Sequence, residues 1–336
     1  MSAEYVTVQW NRQKRWYDSA LAAMVIAFLA LFCAVSKWRF PDITDEILLL
    51  RALGTAAFLL LHAILCIGPL CRLDRRFLPL LYNRRHAGVA LFILALAHAV
   101  IVMLTYHAGG DVSPIQSLLE NRLPSGASDG WPFQLFGALA LIFLLLMAAT
   151  SHDFWLSQLT GPVWKTLHMS VYLAYALLVL HVSFGVLQAE TSGLYRVAMG
   201  AGLAMVISLH LTAGLKETRA DGKMKNEEQK DGYQNICALS DLVEDRGHIF
   251  RLGAERIALF NHGGKVFAVS NVCQHQNGPI GEGRVVNGCI TCPWHGYQYL
   301  PETGASPPPF KERISTFQVL VQNGRVWVHP TPRKHE

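Results

Sequence analysis

Two short runs near the C-terminal end carry residues able to do chemistry: Cys273-x-His275 and Cys292-x-x-His295, inside CQHQNGPIGEGRVVNGCITCPWH. Two thiolates and two imidazoles can hold a tetrahedral zinc ion. The same four can hold a 2Fe–2S cluster, with both cysteines on one iron and both histidines on the other. Zinc fingers usually place one ligand pair on a helix. Here each pair is expected on a loop between strands, with Gly278, Gly281 and Gly283 after the first and Gly296 after the second. The iron–sulfur reading leads, and zinc stays open as the alternative.

A second set lies in apolar surroundings. His98 sits deep in RRHAGVALFILALAHAVIVML, and His168 and His181 sit in WKTLHMSVYLAYALLVLHVSFG. Ionisable residues inside membrane spans are costly and usually functional. Neutral imidazoles on facing helices can hold heme iron from both sides. A single such histidine is more often bonded to a neighbouring helix, but three on two segments favour heme. His98 and His181 lie at comparable depths, about 20 Å along their segments at about 1.5 Å per residue, and form the leading pair. His86 and His168 are the second pair, nearer the opposite end. His62 and His210 are competing ligands or satisfied core residues, and His107 and His152 fall in loops. No catalytic acid, base or nucleophile is expected.

The elements that must position these residues differ in kind. Of 336 residues, 51% are hydrophobic, and the excess is confined to the first two thirds. Apolar runs at 19–38, 47–70, 86–106, 133–151, 163–187 and 193–214 are each close to the roughly 20 residues that cross a bilayer. SALAAMVIAFLALFCAV and FQLFGALALIFLLLMAA carry no charged face, which argues against a soluble bundle. The first run is too long, and lacks a clear small-x-small site, for a cleaved signal peptide. Basic residues concentrate at Arg12 to Arg15, at Arg72 to Arg85 and at Lys216 to Lys225. The intervening loops hold Asp42, Asp45, Glu46, Asp111, Glu120 and Asp129, so both termini are expected in the cytoplasm. Trp16, Trp38, Trp131 and Trp164 are expected at the membrane interfaces.

After Leu215 the composition turns polar. KETRADGKMKNEEQKDG (216–232) is expected as a charged linker. HIFRL, RIALF, KVFAV, FQVLV and RVWVH then alternate between turn pairs such as NHGG and NG, as short antiparallel strands do. The expected architecture is an all-α six-helix transmembrane bundle over 1–215, the linker over 216–232, and a small all-β domain over 233–336. No internal repeat is evident.

The segments NVCQHQNGPIGEGRV and CPWHGYQYLPETG resemble the Rieske family. That resemblance implies a 2Fe–2S cluster on Cys273, His275, Cys292 and His295. Rieske proteins of cytochrome bc complexes join an extra cysteine in each loop as a disulfide. Gly278 and Trp294 stand there here, Cys289 lies off the pattern as a thiol, and a reducing cytoplasmic address fits. High-potential forms place serine and tyrosine hydroxyls beside the cluster; the matching positions are Tyr297 and Tyr299. One fewer hydrogen bond implies a potential in the lower part of the family range of about −150 to +300 mV. The domain is similar to Rieske ferredoxins that serve oxygenases.

The upstream runs LGTAAFLLLHAILCIGPLCRL, RRHAGVALFILALAH and WKTLHMSVYL resemble the ferric reductase-like transmembrane family. Within it they are nearest to the heme-binding membrane subunit of the methionine sulfoxide reductase system. This resemblance covers about 45–215 and implies one or two b-type hemes, with ligands at His98, His168 and His181. His86 stands where that subunit has an apolar residue. No flavin- or NADPH-binding domain of the wider family is visible.

Together these imply an oxidoreductase of the inner membrane that passes single electrons between a cytoplasmic Rieske cluster and membrane heme. The partners expected are a redox protein or a quinone, membrane lipid, and a periplasmic or membrane acceptor, with no nucleic acid. One alternative is a membrane-anchored ferredoxin supplying a cytoplasmic oxygenase from quinol. Another is a redox or iron–sulfur sensor.

Overall fold

The computed structural model describes residues 12–81, 83–109, 111–119, 133–151, 159, 161–185, 187, 193–223, 229–230, 232–253, 255–274, 278–293, 296–308 and 310–333. They separate into two compact units, with the helical one spanning 12–159 and 166–213. Its long elements are α1 (Arg12–Arg39), α2 (Asp45–Leu73) and α4 (Arg84–Val102), with a short α3 (Leu78–Leu81) between the last two. A π-turn, Met103–His107, prolongs α4 and is followed by α5 (Pro114–Leu119) and α6 (Phe133–Ala149). The series ends with α7 (Gly161–Met169), α8 (Val171–Phe184) and α9 (Gly193–Lys223).

Inside the bundle, Leu53, Leu61, Leu65, Leu91, Leu144 and Tyr175 form one buried cluster. Outside it, Met24, Ile26, Leu31, Ile93, Leu104 and Leu211 are exposed by more than half. A water-facing surface of this kind would forgo about 25 cal/mol for each Å² of apolar area left wet. In lipid the same surface faces a matching solvent, and helices satisfy their own backbone bonds.

Five helices meet the length and composition of a membrane span: Lys14–Arg39, Asp45–Leu73, Arg84–His107, Thr166–Phe184 and Gly193–Arg219. The expected sixth, Phe133–Ala149, has 17 residues. At about 1.5 Å per residue it falls a few ångströms short of a hydrocarbon core of about 30 Å. Trp16 and Trp38 are 75% and 83% exposed near the ends of α1, as interfacial aromatics are. Trp164 is not one of them, because it is buried. Trp131 lies outside the described residues.

The last helix runs past Leu215 to Lys223, so the front of the expected linker is helical. Its Ala, Glu, Lys and Arg are good helix formers once a long helix has nucleated. The back of the linker contributes a strand, since β1 (Gln229–Lys230) pairs with β2 (Tyr233–Ala238).

In the β unit a seven-stranded sheet runs in the order β1-β2-β10-β9-β5-β4-β3, and β6-β7-β8 form a second sheet. The remaining strands are β3 (Gly247–Leu252), β4 (Glu255–His262), β5 (Lys265–Ser270), β6 (Arg284–Val286), β7 (Cys289–Thr291), β8 (Gln298–Tyr299), β9 (Thr316–Gln322) and β10 (Arg325–Pro332). The NG pair closes β9–β10 as a two-residue turn, with Asn323 and Gly324 both at positive φ. Gly263 and Gly264 do the same for β4–β5. Both faces of β4 are covered: Ile257 and Leu259 join one core, Ala258 and Phe260 the other. The second core also holds Cys273, Cys292, Tyr297 and Tyr299.

Gly304 shows how tightly the closing segment fits. It has φ of +68°, and an added Cβ would lie 2.1 Å from the carbonyl oxygen of Ile314. A Gly304→Ala substitution is expected to destabilise the β unit by roughly 2–3 kcal/mol. Limited proteolysis of the detergent-solubilised protein, read as cleavage within 233–330 at a lower temperature than wild type, checks this.

Candidate metal centres

Two loops of the β unit carry the cysteines. The first, residues 271–283, joins β5 to β6; the second, residues 292–297, joins β7 to β8. Cys273 and Cys292 are 1% and 0% exposed. Each is held by its own loop: Cys273 N–H donates to Gly278 O at 2.9 Å, and Cys292 N–H donates to Tyr297 O at 2.8 Å. Gly296 returns an N–H to Cys292 O at 2.9 Å, in a turn that needs its φ of +71°. His275, His295 and Trp294 lie outside the described residues. Two buried sulfurs on facing loops fit the cysteine half of the expected donor set.

The two tyrosines have different tasks. Tyr299 is fully buried, with its hydroxyl 3.2 Å from Cys273 Sγ. Gln274 N–H donates to the same oxygen at 3.1 Å, which leaves the hydroxyl proton to point at the sulfur. Tyr297, two residues earlier, donates instead to the Glu312 carboxylate, which also accepts Lys311 N–H. Its ring packs 5.3 Å from Tyr299 and 5.2 Å from Phe310. Glu312 was not visible from the motif, since it lies on a separate segment. Cys289 is a buried thiol whose pKa is raised by burial and then by the charge of Glu302, so it stays protonated and unreactive.

In the helical unit, the rings of His98 and His181 lie 6.4 Å apart, centre to centre, and nearly perpendicular at 84°. Two metal–imidazole bonds of about 2 Å, with a ring half-width at each end, come to roughly the same span. His98 Nδ1 is 3.0 Å from Leu50 O, and His181 Nδ1 is 2.7 Å from Phe133 O. A carbonyl only accepts, so each Nδ1 carries the proton and each Nε2 keeps its lone pair for a metal. One turn beyond each carbonyl stands a glycine. A Cβ on Gly54 would lie 3.0 Å from His98 Nδ1, and one on Gly137 would lie 2.8 Å from His181 Nδ1. Residues Leu50, Gly54 and His98 thus match Phe133, Gly137 and His181, with the same 48-residue separation between carbonyl and ring. A repeat is present after all, visible as xxxG before each histidine but too sparse to register as periodicity. The donors fit an iron porphyrin held by two neutral imidazoles.

The other histidines are placed differently. His168 sits near the end of α7 with its Nε2 buried. α7 and α8 meet at Ser170, whose backbone stays helical at φ −62° and ψ −9°, so His168 and His181 lie on one apolar span, Thr166–Phe184. His86 Nδ1 lies 2.8 Å from an Asp18 carboxylate oxygen of α1. His62 has both ring nitrogens engaged, by Phe58 O at 2.9 Å and by the Tyr175 hydroxyl at 3.0 Å. His210 repeats that pattern with Val206 O and Tyr172. His62 and His210 are therefore held as satisfied groups. His107 is no loop residue: it closes the π-turn and is 2% exposed. His152 lies outside the described residues.

An all-β unit with two cysteine-bearing loops, following a bundle of apolar helices, defines a membrane protein with an iron–sulfur carrier domain. The chain belongs to the Rieske 2Fe–2S domain family over residues 232–318, and residues 53–179 match the ferric reductase like transmembrane component. The "Alkene monooxygenase system, ferredoxin component" of Xanthobacter autotrophicus is 30% identical over 33% of this chain and 94% of the relative. The "3-phenylpropionate/cinnamic acid dioxygenase ferredoxin subunit" of Photorhabdus laumondii is 35% identical over 28% of this chain and 90% of the relative. The "Anthranilate 1,2-dioxygenase ferredoxin subunit" of Burkholderia cepacia is 30% identical over 29% and 91%. The coarse function is therefore electron transfer, by a Rieske domain joined to a multi-pass membrane component.

The Tyr299 contact yields a test. A hydrogen bond to a cluster thiolate stabilises the more negative, reduced state, so its loss lowers the potential. Tyr299→Phe should lower the cluster's midpoint by roughly 40–100 mV, the equivalent of about 1–2 kcal/mol for a one-electron couple. Tyr297→Phe should move it much less. Redox titration followed by electron paramagnetic resonance measures both.

Proposed function

We propose that this protein passes single electrons between a Rieske 2Fe–2S cluster on the cytoplasmic side and b-type heme within the membrane, toward a periplasmic or membrane acceptor. Cys273, His275, Cys292 and His295 would hold the cluster, and His98 and His181 one heme. When bound, these groups supply the one-electron carriers. The residues of the chain hold them dry, fix the imidazole tautomers and set the charge balance at the sulfurs.

The observation that carries the reading is the pair of imidazoles 6.4 Å apart, each anchored through Nδ1 to a backbone carbonyl. Both rings carry the proton on Nδ1, so both keep an Nε2 lone pair able to accept a metal. His168 is the residue for a second heme, and His86, whose Nδ1 is held by Asp18 so that Nε2 keeps its lone pair, is the less favoured candidate for its partner. A quinone or a soluble redox protein is the partner class at the cytoplasmic end.

In this reading Phe133–Ala149 joins the five longer spans as a short sixth crossing, and an even number returns the C-terminal domain to the side of the N-terminus. The distribution of Lys and Arg supports the cytoplasm as that side. A second reading is favoured by the relatives, which are named as ferredoxin components or subunits of oxygenase systems. In it, the Rieske domain delivers electrons to a cytoplasmic oxygenase and heme draws them from quinol. Rapid-mixing spectra separate the two: in the first, reduced cluster precedes reduced heme, and in the second the order reverses.

Two outcomes are expected. Replacing His98 or His181 by Ala should remove most low-spin b-type absorbance from reduced-minus-oxidised spectra, while the rhombic Rieske resonance persists. Full low-spin heme in the double variant would refute the ligand assignment. A C-terminal alkaline phosphatase fusion should be inactive and a C-terminal green fluorescent protein fusion bright; the opposite result would place the cluster outside.

A further inference from the structure

His107 poses a problem that the paired histidines do not explain. It is 2% exposed, its Nδ1 lies 2.8 Å from Ser117 Oγ, and its Nε2 is buried with no hydrogen-bond partner among the described residues. Gln134 is 7% exposed and its Oε1 is likewise buried with no partner among the described residues. Leaving such a group unsatisfied costs about 1–3 kcal/mol, and native structures rarely keep one without a reason.

Both groups belong to the same end of the bundle. The π-turn that ends in His107 packs on α5, α5 packs on α6, and α4 packs on α6. Gln134 directly follows Phe133, whose carbonyl anchors His181. His107 lies on the same helical run as His98, nine residues on. In an unbroken α-helix, at about 100° per residue, it would point roughly opposite to His98, toward lipid. The π-turn takes an extra residue per turn and swings it back. Leu104, in the same turn, is 66% exposed and takes the outward position. Side chains on a helix lean toward its N-terminus, so the His107 ring leans back in the direction of His98, which lies about 13 Å away along the axis at about 1.5 Å per residue.

We infer that His107, with Ser117 fixing its tautomer and Gln134 at the same end of the bundle, is a buried site for a carboxylate of the porphyrin held between His98 and His181. This rests on the heme reading above. With the Ser117 hydroxyl donating to Nδ1, Nε2 carries a proton and can donate it to the carboxylate. Rotation of the Gln134 amide presents an N–H at the position now held by Oε1. An iron porphyrin of the b type carries carboxylates on one edge only, and a buried carboxylate requires donors. The site therefore orients the porphyrin with its acidic edge toward the α5 end of the bundle. A diffusing carbonyl compound such as a quinone is the competing occupant.

The test uses the full-length protein produced without heme, purified in detergent, and titrated with heme b and with its dimethyl ester. Wild type should bind the acid form more tightly than the ester. His107→Ala should narrow that preference roughly tenfold, the effect of losing one charge-assisted hydrogen bond. The bound heme should stay low-spin, because His98 and His181 are untouched. His107→Gln, which keeps a donor, should retain most of the preference, and Gln134→Leu should narrow it. If His107→Ala does not accumulate, Ser117→Ala and Gln134→Leu read the same ratio. An unchanged acid-to-ester ratio in these variants overturns the inference, including the case where only quinol-driven reduction is slowed. Wild type that takes up neither porphyrin as a low-spin species would instead overturn the heme reading.

Discussion

An imidazole inside hydrocarbon must be neutral, and its one N–H must be satisfied; the carbonyls of Leu50 and Phe133 meet that demand for His98 and His181. Each bond also decides which nitrogen carries the proton and which keeps its lone pair. A helix carbonyl is accessible to a ring only where the residue one turn on has no side chain in the way. Gly54 and Gly137 fill that role, and a methyl group at either would press on the ring it now supports. Two close helix pairs, α2 with α4 and α6 with α8, follow from the same requirement, because small residues let helices approach. The ligand geometry and the packing of the bundle are thus one constraint.

The β unit meets a different demand. Thiolates that carry changing charge need nearby dipoles, and those dipoles must be immobile to favour one redox state over another. Tyr299 is immobile because it is wholly buried and because Gln274 N–H fixes the direction of its hydroxyl. Tyr297 is close to the same core, but Glu312 draws its proton away. A buried tyrosine hydroxyl takes the strongest acceptor in reach, and a carboxylate outcompetes a shared thiolate sulfur. The residue at the position of the serine therefore buttresses Tyr299 without adding to the cluster's own hydrogen bonds.

The two units answer to different solvents. In the helical unit many large apolar side chains of α1, α4 and α9 lie on the outer surface, although Leu61, Leu91, Leu144 and Tyr175 also fill the interior. In the β unit the order reverses, and Phe260, Ile280, Ile290 and Ile314 are wholly buried. The segment 216–232 carries the change of composition. Its first part prolongs α9, and its last part opens the sheet, so the polar stretch is more structured than its charge suggests.

Much of this was legible in the chain. Length and apolarity located the apolar helices, five of them long enough to span, because hydrocarbon tolerates almost nothing else, but missed the polar ends from Arg12 and to Lys223. Asn-Gly and Gly-Gly pairs located the hairpins, because few residues accept positive φ. The two Cys-plus-His pairs pointed to a Rieske domain, and the comparable depth of His98 and His181 agrees with the 6.4 Å between their rings. Tertiary structure alone decided the rest. That His62 and His210 are satisfied by Tyr175 and Tyr172 depends on which helices touch. That His86 turns to Asp18 depends on where α1 lies. That His107 is buried depends on a π-turn, which has no sequence signature of its own and changes the face of a helix by inserting a single residue. Periodicity reports the face a residue occupies on an ideal helix; only packing reports what waits on that face.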